Sequence, residues 1–153
     1  MSPNEADHKV RPKSNRSKPR ARVLIVEDNA RLRKLMTDVL ALEGYAVTEA
    51  DDVVGMRQHM QIKGQEEYPD EPFDLIVTDV QMPGENGLIA LQWLRHRGCP
   101  IPALVVTAFP ELATRDLVSR LGATLLPKPF SLHEFRTNAV AAIRGSGHAG
   151  HHS

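Results

Sequence analysis

Short apolar runs alternate along this chain with segments whose apolar residues recur every three or four positions. Arg22 to Val26 is the first run, rich in β-branched residues. Leu32, Leu35, Met36, Val39 and Leu40 then mark one face of an amphipathic helix that Gly44 stops. Tyr45 to Ala50 predicts a second strand, and Val53, Met56 and Met60 form the inner stripe of a second helix that fades before Gly64. Residues 61–72, with Glu66, Glu67, Pro69, Asp70, Glu71 and Pro72, are polar and predict a surface loop. Phe73 to Thr78 is apolar at nearly every position, as a parallel strand covered on both faces must be. A third helix begins near Gly87 with Leu88, Leu91 and Leu94 inward, and a fourth strand spans Pro102 to Val106. Pro110 opens a fourth helix with Leu112, Leu117, Val118 and Leu121 inward, capped by Gly122. A brief strand at Thr124 to Leu126 precedes Lys128 and Pro129. Ser131 and Glu134 then form a capping box for a fifth helix whose buried stripe is Leu132, Phe135, Ala139 and Ile143.

Five such βα repeats predict an α/β fold, a doubly wound five-stranded parallel sheet with helices on both faces, since parallel strands need right-handed crossovers. The 153 residues, 41% of them hydrophobic, suffice for one domain with a real core and not for a second of ordinary size. The expected organisation is a disordered basic arm at residues 1–21, one folded domain at 22–144, and a flexible tail at 145–153. In that tail His148, His151 and His152 are read as part of a loose terminus rather than a metal site.

The balance of 19 basic and 19 acidic residues conceals a split. Residues 1–22 hold seven Lys/Arg against Glu5 and Asp7, which leaves 12 basic and 17 acidic residues, a formal charge of −5, for the rest. The arm also carries Pro3, Pro12 and Pro19 and few large apolar groups, so burial cannot offset its ordering entropy. No aromatic residue is interleaved to stack on bases, and nucleic acid is not an expected partner. No apolar stretch approaches the roughly 20 residues of a membrane span and no signal-peptide h-region is present, so the expected location is cytoplasmic, without a membrane partner. The single cysteine, Cys99, lies between Gly98 and Pro100 with no metal-ligand neighbour and is read as structural or inert.

Four of the runs end on residues useful in phosphoryl chemistry. The first delivers Glu27 and Asp28, the third Asp79, the fourth Thr107 and the fifth Lys128. Each has a plain explanation alone: Glu27 and Asp28 can cap a helix, Asp79 can start a turn, Thr107 can end a strand, and Lys128 can be a surface cation. Together they are harder to dismiss, because the carboxyl ends of parallel strands share one edge. Three clustered carboxylates repel one another and raise each other's proton affinity unless a divalent cation joins them, and Mg²⁺, hard and oxygen-seeking, is the natural occupant. Beside it Asp79 can act as nucleophile, with Lys128 and Thr107 holding phosphoryl oxygens.

Glu27 and Asp28 after the first strand, Asp79 followed by Met82, Pro83 and Gly87, Thr107 with Ala108, and Lys128 with Pro129 and Phe130 together resemble the receiver domain of two-component response regulators. The resemblance covers about residues 22–144. It implies a CheY-like, flavodoxin-like sheet of order 2-1-3-4-5 with five helices. It implies that Asp79 accepts the phosphoryl group in a Mg²⁺-dependent reaction, that Asp28, Asp79 and the main-chain carbonyl of Gln81 ligate the metal, and that Glu27 acts through a metal-bound water. The implied donor is a sensor histidine kinase or histidine phosphotransfer protein, meeting the first helix and the loops around the site. Output would pass to a downstream protein from the fourth helix, fifth strand and fifth helix. Such a protein promotes transfer to, and hydrolysis from, its own aspartate and is not a turnover enzyme. Family members also carry a cis peptide at the bond matching Lys128–Pro129.

This sequence departs from the family where receivers commonly carry Tyr or Phe three residues before the lysine. That position is Leu125, and the segment Gly122 to Lys128 is a residue shorter than usual. The usual relay between Thr and an inward-turning aromatic is thereby in question; Phe109 either substitutes for it or covers the pocket mouth. Phe109 and Gln81 also occupy positions that flank the hydrolytic water's path in the family. The leading expectation is a stand-alone receiver, nothing after Arg144 being able to fold into an output domain. The alternatives are an interaction module with vestigial phosphorylation and the receiver part of a longer regulator. A nucleotide-binding enzyme of the same architecture is disfavoured, since Glu27 to Arg31 lacks the glycines of a dinucleotide fingerprint and no phosphate loop ending in Gly-Lys-Ser/Thr occurs.

Overall fold

In a computed structural model of the chain, residues 19–60 and 73–152 are described, the last seven as backbone only. The predicted arm, but for its last residues, and the predicted loop at 61–72 lie outside them. Ten elements alternate: β1 (Ala21–Val26), α1 (Ala30–Leu42), β2 (Tyr45–Ala50), α2 (Val53–Met60), β3 (Leu75–Asp79), α3 (Gly87–His96), β4 (Ala103–Thr107), α4 (Leu112–Arg120), β5 (Thr124–Pro127) and α5 (Leu132–His152). All strand pairs are parallel and the sheet order is β2-β1-β3-β4-β5, the arrangement expected from the sequence.

Burial explains which strands sit where. β3 and β4 are buried at every position and lie inside the sheet, whereas β2 and β5 are partly exposed and form its edges. Side chains alternate between two faces. Val23, Ile25, Leu75, Val77, Leu104, Val106 and Leu126 pack under α1 and α5 against Met36, Leu40, Phe135 and Ala139. Leu24, Val26 and Ile76 face the other way, onto Val53 and Met56 of α2 and Ala90 and Leu94 of α3. A third cluster joins Val105 to Leu88, Leu91 and Val118 beneath α3 and α4, and Leu125 packs against it.

The helix ends follow local chemistry. Asn29 caps α1, its Oδ1 accepting from the Leu32 N–H at 2.9 Å, and Asn86 caps α3 through the Leu88 N–H at 2.6 Å. At the start of α5, the Ser131 N–H donates to Glu134 Oε1 and the Glu134 N–H to Ser131 Oγ, both at 2.9 Å, which is the reciprocal box read from the sequence. Gly44 and Gly122 close α1 and α4 in the left-handed region, at φ 85° and 68°.

Three details differ from the sequence reading. Leu112, assigned to the inner stripe of the fourth helix, is 82% exposed, because α4 starts at Leu112 rather than at Pro110 and turns that residue outward. Leu132 likewise sits on the surface at the first turn of α5, ahead of the buried Phe135. Helical backbone in α5 passes Arg144, where the sequence reading ends the domain, and reaches His152. Gly145, Gly147 and Gly150 weaken helix propensity there, yet no proline follows Arg144 to stop the helix.

Candidate functional site

Order 2-1-3-4-5 places the topological switch between β1 and β3, where the connections leave to opposite faces and open a crevice at the strands' carboxyl ends. Glu27 follows β1 directly and its N–H still donates to the Ala50 carbonyl at 3.0 Å, so it leaves the strand buried; Asp28, one residue on, is exposed. Asp79 is the last residue of β3 and is buried. One carboxylate oxygen from each of Glu27, Asp28 and Asp79 lies within 4.8 Å of the others.

Lys128 comes from beyond the tip of β5. Its N–H donates to the Thr107 carbonyl at 2.7 Å, the peptide to Pro129 is cis, and its Nζ reaches Asp79 Oδ2 at 2.7 Å and Glu27 Oε1 at 3.2 Å. The other oxygens of both acids are also engaged: Gln81 N–H donates to Asp79 Oδ1 at 3.1 Å and Asn29 N–H to Glu27 Oε2 at 3.1 Å. Thr107 is buried at the end of β4, its Oγ1 accepting from the Phe109 N–H at 3.0 Å. Phe109 itself is 54% exposed.

These contacts set the protonation chemistry. Burial, opposed by the Asn29 N–H and by Lys128 and reinforced by the charge of Asp79, holds the Glu27 carboxyl above the ordinary glutamate value. Burial would lower the Lys128 ammonium, but its hydrogen bond and charge contact with Asp79, with help from Glu27, outweigh that effect and raise it, so it stays a cation. A raised carboxyl is a stability cost of charging: below the unfolded-state value both states are protonated and the cost vanishes, and it grows as pH rises through the raised folded value. The parent chain in chelator is therefore expected to lose melting temperature as pH rises out of the ordinary glutamate range, and Glu27→Gln, which has no proton to lose there, is expected to show a flatter profile in thermal melts across that range.

The structure brings together Glu27, Asp28, Asp79 and Lys128, with Thr107 tied to Lys128 through the β4–β5 ladder. Gln81 meets the cluster through its N–H. Sequence reasoning passed over Arg33, whose Nη1 donates to the Glu27 carbonyl at 2.6 Å and whose Nε pairs with Glu49 Oε1 at 3.0 Å. A basic residue in the first turns of a helix reads as solvated, and only its spacing of six residues from Glu27 could have hinted at a return contact. It also passed over the reason for Gly87: an added Cβ would stand 2.0 Å from the Asp79 carbonyl oxygen.

Residues 23–140 match the response regulator receiver domain family. A protein named as a probable transcriptional regulatory protein of Picosynechococcus is 37% identical over 129 residues, spanning 82% of this chain and 50% of that one. The transcriptional regulatory protein TctD of Salmonella typhimurium is 34% identical over 126 residues, at 82% and 53%. This chain thus spans about half the length of those relatives. Among solved structures, the non-phosphorylated HemR receiver domain of Leptospira biflexa superposes with a TM-score of 0.71 at 28% identity, over 82% of this chain and 94% of that one. A CheY-like receiver domain protein of Methanospirillum hungatei shares the fold with a TM-score of 0.71 at 19% identity, over 84% and 97%.

Proposed function

This chain belongs to the response regulator receiver domain family, and on that premise we propose that it accepts a phosphoryl group on Asp79 from a histidine kinase or phosphotransfer protein and signals through protein–protein contacts. It is a receiver, not a turnover enzyme. The observation that carries the reading is the single ammonium of Lys128 bonded to the carboxylates of both Glu27 and Asp79, with Asp28 beside them.

The three carboxylates against one ammonium leave two negative charges in an all-oxygen donor set, which fits Mg²⁺. Asp28, Asp79 and the Gln81 carbonyl would hold it, and Glu27 would act through a metal-bound water. When bound, the ion supplies positive charge that offsets the charge of an incoming phosphoryl group. The chain's own groups do the rest. A P–O bond forms from a carboxylate oxygen of Asp79 as the donor's P–N bond breaks, and the freed imidazole nitrogen keeps the electron pair. Lys128 turns one of its N–H donors from the carboxylate to a phosphoryl oxygen, and the incoming anion takes the place of the partner it leaves. Thr107 accepts from Phe109 N–H and retains its own hydroxyl proton to donate to another phosphoryl oxygen.

The test is intact mass after incubation with Mg²⁺ and a small phosphodonor. One added phosphoryl group, lost in chelator, is expected; no adduct under conditions where Mg²⁺ binds would favour the interaction-module reading. Phe109, exposed and tethered by its N–H to Thr107, is read as restricting water access to the acyl phosphate. Phe109→Ala is expected to shorten the adduct's half-life several-fold, and an unchanged decay rate would exclude that role.

Residues 22–144 are read as the receiver, 1–21 as a basic arm and 145–153 as a tail, with a cytoplasmic location. Among the described residues no helix is long and apolar enough to cross a membrane. Donor contact is assigned to α1 and the site loops, and output to α4, β5 and α5. With Leu125 packed under α4, that output does not use an aromatic at this position. The leading reading is a receiver acting alone. The length of the relatives supports a second, that the same receiver is the phosphoryl-accepting part of a longer regulator.

A further inference from the structure

We infer that Arg33 is a positioning residue of the acidic site, setting the direction of Asp28 by gripping the peptide that joins it to Glu27, and that Glu49 on β2 holds Arg33 for this task. The inference rests on the function proposed above.

The Glu27 carbonyl lies just past the end of β1. The Glu27 N–H still finds the Ala50 carbonyl on β2, but the carbonyl of the same residue is bound by the Arg33 side chain, at 2.6 Å from Nη1. A guanidinium donor makes this a charge-assisted bond, stronger than a peptide N–H would supply. That carbonyl shares one rigid plane with the Asp28 amide and ends at the Asp28 Cα. Fixing the carbonyl therefore fixes the plane from which the Asp28 side chain leaves. Asp28 needs such a hold more than its neighbours do. Glu27 and Asp79 are buried and each bonded to Lys128 and to a main-chain N–H, whereas Asp28 is exposed.

The grip is itself supported. Nε of Arg33 pairs with Glu49 Oε1 at 3.0 Å, so two edges of one planar fork are used, and the Arg33 side chain is only 19% exposed. Arg33 stands one turn into α1, where its N–H donates to the Asn29 carbonyl at 2.9 Å, so the fork is anchored at its base by the helix that starts the turn. The β2 edge is thereby linked to metal-site geometry through a residue that does not touch the site's carboxylates. Lysine offers a compact point charge without the planar fork, so its single nitrogen cannot reproduce the geometry in which Nη1 and Nε reach the Glu27 carbonyl and Glu49 along two edges.

The experiment measures Mg²⁺ dissociation constants of the full chain by calorimetry, below the melting temperature of every variant, beside the amide-exchange rate of the Asp28 N–H without metal. Arg33→Ala is expected to weaken Mg²⁺ binding about tenfold, the worth of about one net charge-assisted hydrogen bond at 1.4 kcal/mol per decade, and to speed Asp28 exchange. Arg33→Lys should fall between Arg33→Ala and the parent, and Glu49→Gln should shift both readings the same way by less. An Arg33→Ala protein that is folded, with a lower melting temperature but Mg²⁺ affinity within twofold of the parent, would overturn the inference by reducing Arg33 to a structural role. If the parent chain itself bound no Mg²⁺, the proposed function would fail first, so the two failures are distinguishable.

Discussion

Asp79→Asn is expected to abolish the phosphoryl adduct completely. The substitution is nearly isosteric, and the amide oxygen can keep the bond from Gln81 N–H, now 3.1 Å from Oδ1. What changes is reactivity and charge. An amide has no anionic oxygen to form the P–O bond, and one of the three negative charges that face Lys128 and the proposed metal is gone. Lys128 keeps Glu27 as a partner at 3.2 Å, and the apolar positions of β3, Leu75 to Val77, are untouched, so the fold should hold. Intact mass after treatment with the small phosphodonor and Mg²⁺ should show the bare chain alone, with an unchanged circular dichroism spectrum. An adduct that survives the substitution would place the acceptor elsewhere and remove the basis for the roles given to Lys128 and Thr107.

Gly87→Ala is expected to destabilise the chain sharply, since among the described glycines an added methyl group meets its closest contacts here. A Cβ at Gly87 would lie 2.0 Å from the Asp79 carbonyl oxygen, 2.6 Å from Thr78 Oγ1 and 3.1 Å from the Asp79 carbonyl carbon. Two of these atoms are main chain and cannot swing aside, and the Gly87 N–H is already committed to the Val80 carbonyl at 3.0 Å. Either α3 moves away from β3 or the tip of β3 shifts. The first opens the packing of Leu88 and Leu91, and the second displaces Asp79. Overpacking of this kind costs about 1–3 kcal/mol, and main-chain contact puts this case at the upper end. Denaturant unfolding should show that loss, and the fraction that remains folded should accept phosphate more slowly than the parent. A loss below about 0.5 kcal/mol, the range of ordinary surface substitutions, would mean that α3 docks less tightly than its contacts indicate.

The fold was legible because β3 and β4 are apolar throughout while the helices are one-sided, so period alone separates element types. The carboxyl-edge logic then located Glu27, Asp28, Asp79 and Lys128 without coordinates. What period could not resolve was which side chains at a helix start face inward: Leu112 and Leu132 fit the stripe by spacing but sit outside because the first turn has not yet wrapped onto the sheet. The true caps, Asn29 and Asn86, were hidden behind more conspicuous neighbours; Glu27 and Asp28 looked like caps but are drawn into the crevice. Arg33 was invisible for a different reason. Its contacts run to a main-chain oxygen six residues back, which leaves no mark in the side-chain pattern, and to Glu49 on β2, which no local period connects to it.

The shortness of β5 has a consequence for self-association. Successive residues of a strand aim their peptide groups to opposite sides, and Lys128 N–H points inward to Thr107, so the Pro127 nitrogen faces the open border. Proline has no hydrogen to offer there, which leaves Leu125 as the outward donor among the four residues of the strand. A foreign strand arriving at this border finds a single donor, at Leu125, and a gap at Pro127, so that flank offers only a short and broken ladder for fibril-like stacking.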